Sequence, residues 1–513
     1  MAAKAFATAL RPYKLPQPVL LTGILLIMLI YLSSCSASKN NFNPYKKFSP
    51  QQLQQDYALY QNILEERHPS LYWYTPKPVM DKVFAEGRNR LHDSLTEYDF
   101  RKIINMVNTN IQCGHTSVKA SRQYLKYIDT LKIRISFPLY LKIWNDTVVV
   151  THNAHGNDSL LPRGTMIDSL NGMNVKQLLD TFYHYINADG NNPVAKDQML
   201  STGTWFGSLY TALYGWKPVY EVAYRDASGN SRHAAITPVV ITADSAKHTV
   251  QSLKKNRKQT RRQRLNDARL LTIDHTENTA LLELNSFSQK LKLKPFFRQS
   301  FSRLKKDSIQ NLIIDLRSNG GGRVDNSTLL TKFIADKPFK LADSLYAQTR
   351  KTRFGRHIQN DFWTRLALHF MTRKKAAGRY HFTYYETHYY KPRKRNHFNG
   401  NVFILSGGNS FSASVLVMSM LKSQQNVTIV GEPSGGAAYG NTAWFINEVT
   451  LPHTKIRFRL PLMRLVIDKD LPKNGQGVWP DVFAGPTIEA IKNARDYKME
   501  KAKELIRNAE ELR

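Results

Sequence analysis

The sequence is poor in cysteine. It has two cysteines in 513 residues, Cys35 and Cys113. Small exported domains that rely on disulfides carry many more, so a disulfide-stapled scaffold is excluded. A chain of this length with 42% hydrophobic residues can bury two or more cores, and we expect a multidomain globular protein held together by packing.

Motifs for nucleotides and metals are also missing. There is no glycine-rich loop ending in Lys-Ser or Lys-Thr, no dinucleotide fingerprint and no internal repeat. His152 and His155 are three residues apart, but no third ligand follows at a spacing typical of zinc sites. We therefore expect no cofactor and no metal.

Acidic residues are scarce relative to basic ones. The chain has 73 Lys and Arg against 40 Asp and Glu, a formal net charge of +33. The cations concentrate in residues 253–264 and in residues 350–395, where they alternate with aromatic residues such as Trp363 and Tyr384. This charge predicts contact with anionic lipid or lipopolysaccharide head groups or with acidic substrates, and simple solubility remains an equal alternative. Nucleic acid is not expected as a partner of an exported protein.

The N-terminus has the pattern of an export signal. Lys4, Arg11 and Lys14 precede an apolar run from Pro18 to Leu32, which is short for a bilayer span and suits a signal peptide. The following Leu-Ser-Ser-Cys resembles a bacterial lipobox. We predict cleavage of residues 1–34, acylation of Cys35 and a tether over residues 35–44, which places the protein in the bacterial cell envelope facing the periplasm. An uncleaved membrane anchor is the alternative.

Ser412 is the strongest candidate for a reactive side chain. It lies in VFILSGGNSFSASVLVMSML, where an apolar run gives way to a Gly/Asn/Ser turn and then to a helix-forming segment. A strand-to-helix junction directs helix N-terminal amides at whatever reacts there. A serine in this position can also simply cap the helix.

Two other segments favour nucleophilic catalysis. In LIIDLRSNGGGR an apolar strand ends in Gly320, Gly321 and Gly322, whose amides could face a cleft and stabilise an oxyanion. Far upstream, His115 follows an amphipathic helix, and an imidazole can accept a serine proton near neutral pH. The neighbouring Cys113 could act as a thiol nucleophile, although buried cysteines usually pack as small hydrophobic residues.

Several motifs in the same order resemble the C-terminal processing peptidases (tail-specific proteases), especially their tricorn-like branch and the lipoprotein members found in Bacteroidetes. DFRKIINMVNTNIQCGHTSV, TALLELNSFSQ, LIIDLRSNGGG, FSAS, IVGEPSGG and GVWPDV carry this resemblance. It implies that Ser412 is the nucleophile and that the amides of Gly321 and Ala413 hold the oxyanion.

The family that the chain resembles has branches that differ in the residue that acts as the base. Ala437 stands where the serine-lysine branch has its lysine, and Asn441 follows four positions later, so the lysine dyad is absent. The tricorn-like alternative implies that His115 is the base. Asn474 occupies the place of the acid that orients it, with Asp468, Asp470 and Glu432 as other candidates.

The implied fold is α/β, with a crotonase-like spiral peptidase core, an N-terminal helical domain and a degenerate PDZ-like β-rich domain. The predicted domains are a helical domain carrying His115 (45–125), a PDZ-like domain with a helical insertion (126–245), a basic linker (246–275), the peptidase core (276–490) and a C-terminal helix (491–513). We predict a lipid-anchored serine endopeptidase acting on polypeptides. The alternative is a catalytically inactive relative that binds peptides or envelope proteins.

Overall fold

The structure is a computed structural model and describes residues 42–156, 160–226, 229–242, 261–375 and 378–511. The predicted signal peptide, Cys35, most of the tether and half of the basic linker lie outside these ranges. Among the residues described, none forms a helix that is both long and apolar enough to cross a bilayer.

The N-terminal region is helical. Its elements are β1 (Lys47–Phe48), α1 (Pro50–Arg67), α2 (Lys77–Asn89), β2 (Leu95–Thr96), α3 (Glu97–Thr109), β3 (Val118–Lys119) and α4 (Arg122–Thr130). Ser49 and Gln52 cap the first helix reciprocally, each side chain accepting from the other residue's amide. The buried side chains of α1 and α3 belong to the same hydrophobic cluster as the peptidase core. This region therefore lacks a core of its own, although the sequence predicted a separate domain.

The β-rich region follows. Its elements are β4 (Ile133–Ser136), β5 (Leu139–Trp144), β6 (Thr147–Asn153), β7 (Met166–Leu170), β8 (Met173–Asn174), α5 (Val175–Tyr183), α6 (Pro193–Leu200), α7 (Trp205–Tyr214), β9 (Tyr220–Arg225), β10 (Ser231–Ile236) and β11 (Val239–Thr242). The main sheet has the order β10-β9-β7-β6-β5 and is antiparallel. It has a separate core that includes Phe182, Tyr210 and Tyr220. The PDZ-like assignment stays a prediction.

The rest of the chain forms the peptidase core. Its strands are β12 (Arg269–Asp274), β13 (Thr279–Leu284), β14 (Asn311–Asp315), β15 (Ser344–Ala347), β16 (Arg373–Lys374), β17 (Tyr380–His381), β18 (Asn401–Ser406), β19 (Val427–Gly431), β20 (Gly440–Ala443), β21 (Asn447–Thr450), β22 (Arg457–Leu460), β23 (Met463–Val466) and β24 (Val482–Phe483). Its helices are α8 (Arg261–Asn266), α9 (Leu293–Lys306), α10 (Val324–Ile334), α11 (Asp361–Met371), α12 (Thr383–Thr387), α13 (Ala413–Leu421), α14 (Ile488–Lys492) and α15 (Tyr497–Glu511), with short 3₁₀ turns at Gln289–Leu291 and Gly355–His357.

The central sheet of this core has the order β12-β13-β14-β18-β19-β24 and is parallel from β13 onward. Its inner strands β14, β18 and β19 are mostly buried, because each face of the sheet is covered there. One face packs into the large core with α10 and α13, and the other contacts Ala502 and Ile506 of α15. The α/β fold is confirmed, and the strands β14, β18 and β19 are neighbours in this sheet.

The predicted basic linker is wrong at its C-terminal end. The prediction extended it to residue 275, whereas β12 begins at Arg269 and pairs with β13 as an edge strand of the central sheet. The alternating apolar residues of RLLTID half-bury one side of this strand. The many cations just upstream concealed this short pattern.

Two smaller sheets complete the core. One has the order β16-β17-β15-β23-β20, and the other the order β21-β22-β3. The second matters for the site because β3 belongs to the N-terminal region, whereas β21 and β22 belong to the core. Val118 and Lys119 pair with Phe458 and Arg457, which fixes the segment just before β3 against the core.

Candidate active site

Ser412 lies in a strained turn between β18 and α13. Its backbone angles are φ 56° and ψ −114°, a conformation that non-glycine residues rarely adopt. Its side chain makes no capping hydrogen bond to the helix that it precedes. The simple helix-cap interpretation is therefore wrong, and strain of this kind is typical of functional positions.

His115 lies beside Ser412. Its Nε2 is 3.2 Å from Ser412 Oγ, although the two residues are 297 positions apart in the sequence. The pairing of β3 with β22 brings the His115 segment to this place, and the ring lies 4.7 Å from that of Phe411. The structure thus brings together the two side chains that the sequence predicted to act as base and nucleophile.

The His115 imidazole is neutral at physiological pH. It is 5% exposed, and burial together with the positive charge of Arg459 lowers its pKa from 6.5 to about 3. A neutral ring can accept a proton. Its Nδ1 is buried and has no hydrogen-bond partner in the described part of the chain.

Asn474 does not orient His115. Its side chain is exposed, and its Oδ1 accepts a hydrogen bond from the amide of Gln476 at 3.0 Å, so the residue serves its own turn. Among the other candidates, Asp468 accepts from the amide of Asp470, and Glu432 pairs with Lys498 Nζ at 2.7 Å. None of these side chains takes the place of a third catalytic group.

The two predicted oxyanion donors differ. Ala413 is the first residue of α13, so its amide has no acceptor within the helix, and no described residue accepts from it. The Gly321 amide instead donates to Asn319 Oδ1 at 2.9 Å, so it is not a free donor in this structure. Gly321 is needed for space: at φ 96° a Cβ would lie 2.7 Å from Ser412 Cβ.

A cavity of about 1030 Å³ opens at Ser412 and His115. Much of its wall is apolar and includes Met371, Leu416, Ala443, Trp444, Phe445 and Leu465. Arg323, Asp325 and Arg459 add charge, and Asn441 places a buried amide in the wall. A cavity with this lining can hold an extended polypeptide with apolar side chains.

The alternatives to Ser412 chemistry lack support. Burial raises the pKa of the Cys113 thiol to about 12, so this side chain stays protonated and is not a nucleophile. Ala437 is buried beside Gly477 and has no ionisable group. Within the described ranges, no group of three or more His, Cys, Asp or Glu side chains is placed to hold a metal ion.

Asp189 is a residue of the site that sequence reasoning missed. It is 1% exposed, and its Oδ1 accepts the amide of Gly114 at 2.8 Å, while the amide of Gly190 donates to Gln112. Burial raises the pKa of this carboxyl to about 7. A single aspartate in a polar loop of the β-rich region gave no indication that it would hold the His115 loop.

Comparison with known proteins agrees with this fold. Residues 278–483 match the family model described as Peptidase family S41. Mature CPAF has a similar structure, with a TM-score of 0.62 and 14% identity over 90% of this chain and 98% of that one. The photosystem II D1 C-terminal processing protease gives a TM-score of 0.40 and 14% identity, covering 86% of this chain and 96% of that one. No curated protein sequence matches significantly.

The family match, made within the core that carries Ser412, defines the chain as a serine-type peptidase. Residues 278–483 are thus similar to peptidase family S41, the C-terminal processing peptidases. The resemblance predicted from the motifs is confirmed at this level, whereas the tricorn-like branch and the lipoprotein assignment stay predictions.

Burial and, to a smaller extent, Arg459 lower the pKa of His115 and so affect the pH range in which it can act as a base. Only the neutral imidazole accepts a proton, so acylation should fall as the pH drops through the His115 pKa, which lies below 6.5. Arg459→Gln removes one of the two causes of this low pKa and should move the acid limb of the acylation rate to higher pH. Arg323→Gln is the matched control, because Arg323 lines the same cavity but pairs with Asp325. Coincident pH profiles for wild type and Arg459→Gln would contradict this role.

Asp189 should act as a positioning residue. Asp189→Asn keeps an oxygen acceptor for the Gly114 amide, whereas Asp189→Ala removes it. We expect the alanine variant to lower kcat for acylation by roughly tenfold or more through misplacement of His115, with KM little changed and most activity restored by asparagine. Because burial raises the pKa of Asp189 in the folded state, the wild-type protein loses stability as the pH rises from about 4 to about 7. The Tm of Asp189→Asn should therefore rise relative to that of wild type over this range. Equal rates for both variants would refute the positioning role.

Proposed function

We propose that the protein is a lipid-anchored serine endopeptidase in which Ser412 is the nucleophile and His115 the general base. The 3.2 Å separation of His115 Nε2 from Ser412 Oγ is the observation that carries this proposal. Two further features support it. The strained backbone of Ser412 is typical of a nucleophile held at a strand-to-helix turn, and the neutral imidazole of His115 can accept a proton.

The reaction would proceed through an acyl-enzyme. His115 Nε2 takes the proton of Ser412 as Oγ attacks the scissile carbonyl, and the resulting imidazolium gives that proton to the departing amine as the C–N bond breaks. Water then attacks the ester, His115 takes its proton and returns one to Oγ. The Ala413 amide and the N-terminus of α13 stabilise the oxyanion.

A second donor for the oxyanion must come from the glycine turn. Rotation of the Asn319 side chain would free the Gly321 amide, which otherwise donates to it. Formation of the oxyanion would favour this change of acceptor, because an oxyanion accepts a hydrogen bond from the Gly321 amide more strongly than the Asn319 amide oxygen does. In this proposal Gly321 and Ala413 keep the roles that the family resemblance implies.

None of the described residues gives Nδ1 of His115 a hydrogen-bond partner, and this favours one competing function. Without a group that holds its tautomer and stabilises the imidazolium, the base is weaker than in a complete triad. An inactive relative that binds polypeptides in the same cavity is the function this observation favours. Reactivity of Ser412 separates the two.

Ser412→Ala should abolish labelling by a fluorophosphonate probe while leaving Tm nearly unchanged. His115→Ala should lower the labelling rate by several orders of magnitude, since the serine loses its base. Ser414→Ala is the matched control, because Ser414 is buried in the first turn of α13 and its hydroxyl donates to Asn319 O. Equal labelling of wild type and Ser412→Ala would exclude this serine as the nucleophile, and an unreactive wild type would select the binding function.

The lipid anchor and the envelope location are proposed from the sequence around Cys35. Cells fed an alkyne fatty acid should incorporate it into the wild-type protein and not into Cys35→Ala, because acylation requires the thiol. Cys113→Ala is the internal control, since it removes the other cysteine and should keep the label. Label retained in Cys35→Ala would disprove this anchor without bearing on peptidase activity.

A further inference from the structure

Helix α11 has its apolar side toward solvent. Its buried residues are Asp361, Thr364 and Leu368. Its exposed hydrophobic residues are Phe362, Trp363, Leu366, Phe370 and Met371, with exposed fractions from 40% to 68%. At about 3.6 residues per turn the first four lie within one arc opposite the buried three. The usual orientation of an amphipathic helix is thus reversed.

This apolar face is unusual for the molecule. Among the helices that the structure describes, every other one exposes at most one large hydrophobic side chain. A contiguous patch of exposed aromatic and aliphatic groups marks an interaction surface, whereas single exposed hydrophobic residues do not.

Specific contacts hold the helix in this orientation. The Asp361 carboxylate lies 2.8 Å from Arg365 and 3.9 Å from the fully buried Arg67. Thr364 Oγ1 exchanges hydrogen bonds with the Asn447 side chain, and Leu368 is completely buried in the core. Rotating the apolar residues inward would break these contacts and leave the buried charge of Arg67 without its partner. The contacts therefore stabilise the orientation in which the apolar face is exposed.

Cations lie beside the apolar face and beyond the end of its helix. A cleft of about 450 Å³ beside Phe362 and Leu366 is lined by Arg350, Lys351 and Arg365. None of the described residues that line it is acidic, although Arg365 pairs with the buried Asp361 just outside the lining. Arg373 and Lys374 continue the positive charge beyond the end of the helix and are exposed. Apolar rings flanked by Lys and Arg are typical of helices that lie in a membrane interface.

We propose that α11 docks on the surface of an anionic phospholipid bilayer. Phe362, Trp363, Leu366 and Phe370 enter the boundary between head groups and acyl chains, and the cations contact the lipid phosphates. Charge favours this partner over a second copy of the chain. The chain has 73 basic and 40 acidic residues, so two copies would repel each other, whereas an anionic bilayer attracts the excess positive charge. This inference is independent of the catalytic role of Ser412.

Docking has a consequence for the substrate. Met371, the last residue of α11, also lines the cavity at Ser412 and His115. A bilayer in contact with α11 would therefore lie near one wall of the active-site cavity. Polypeptides at or emerging from the membrane surface are the substrates that this arrangement would present.

Quenching of Trp363 fluorescence by lipid tests the proposal. Full-length protein is bound to vesicles of brominated phosphatidylcholine with phosphatidylglycerol, and quenching of tryptophan emission is measured. We expect Trp363→Phe to remove a quenched component that persists in Trp479→Phe, a matched control because Trp479 is also about half exposed. The double variant Phe362→Ser/Phe370→Ser should reduce this component roughly tenfold through lost apolar burial, with Tm unchanged because both rings are exposed.

The quenching should weaken in phosphatidylcholine alone and at high salt, because the cations act on anionic head groups. Equal quenching in wild type and Trp363→Phe would overturn the proposal. So would a dimer in sedimentation without vesicles that Phe362→Ser/Phe370→Ser converts to monomer, since a second copy would then cover the face.

Discussion

The site depends on the pairing of β3 with β22. This two-residue pairing holds the strand that follows His115 against a strand of the peptidase core, and it brings an imidazole within 3.2 Å of a hydroxyl 297 residues away. The amide of Arg459 donates to Ser117 O and extends the pairing toward the histidine. Because the N-terminal helices share one hydrophobic core with the peptidase sheet, the pairing is supported by packing on both sides.

The proposed base and the proposed nucleophile both have environments that cost stability: His115 is buried and the backbone of Ser412 is strained. The His115 ring loses hydration and stays neutral, and Ser412 adopts a backbone conformation that disfavours side chains. The neighbouring chain compensates: Ser410 Oγ donates to Leu316 O and accepts from the Gly407 amide, and Ser414 Oγ donates to Asn319 O. These bonds connect the turn at Ser412 with the glycine turn after β14. Hydrogen bonds to the neighbouring strand's turn therefore help to stabilise the strained conformation of Ser412.

Three regions of the chain meet at the active site. The N-terminal region contributes His115, the core contributes Ser412, and the β-rich region contributes Asp189, which holds the backbone before the histidine. Asn192 of the same loop donates to the carbonyls of Ser434 and Gly435 in the core. The geometry of the base therefore depends on how the β-rich region packs, and the reversed helix α11 adds an outward face that borders the same cavity.

The sequence by itself indicated the class and singled out Ser412 and His115 as the proposed reactive pair. The parallel strands β14, β18 and β19 follow from apolar runs, and Ser412 and His115 stand out because their motifs occur in a family order. The boundary at residue 275 and the role of Asn474 were wrong, since a short edge strand among cations and an Asx turn give little local pattern. Asp189, the occupied Gly321 amide and the outward face of α11 were decided only by tertiary structure. Periodicity reports which residues share one face of an element, but which face is buried and which polar atoms meet depend on contacts between segments far apart in the chain.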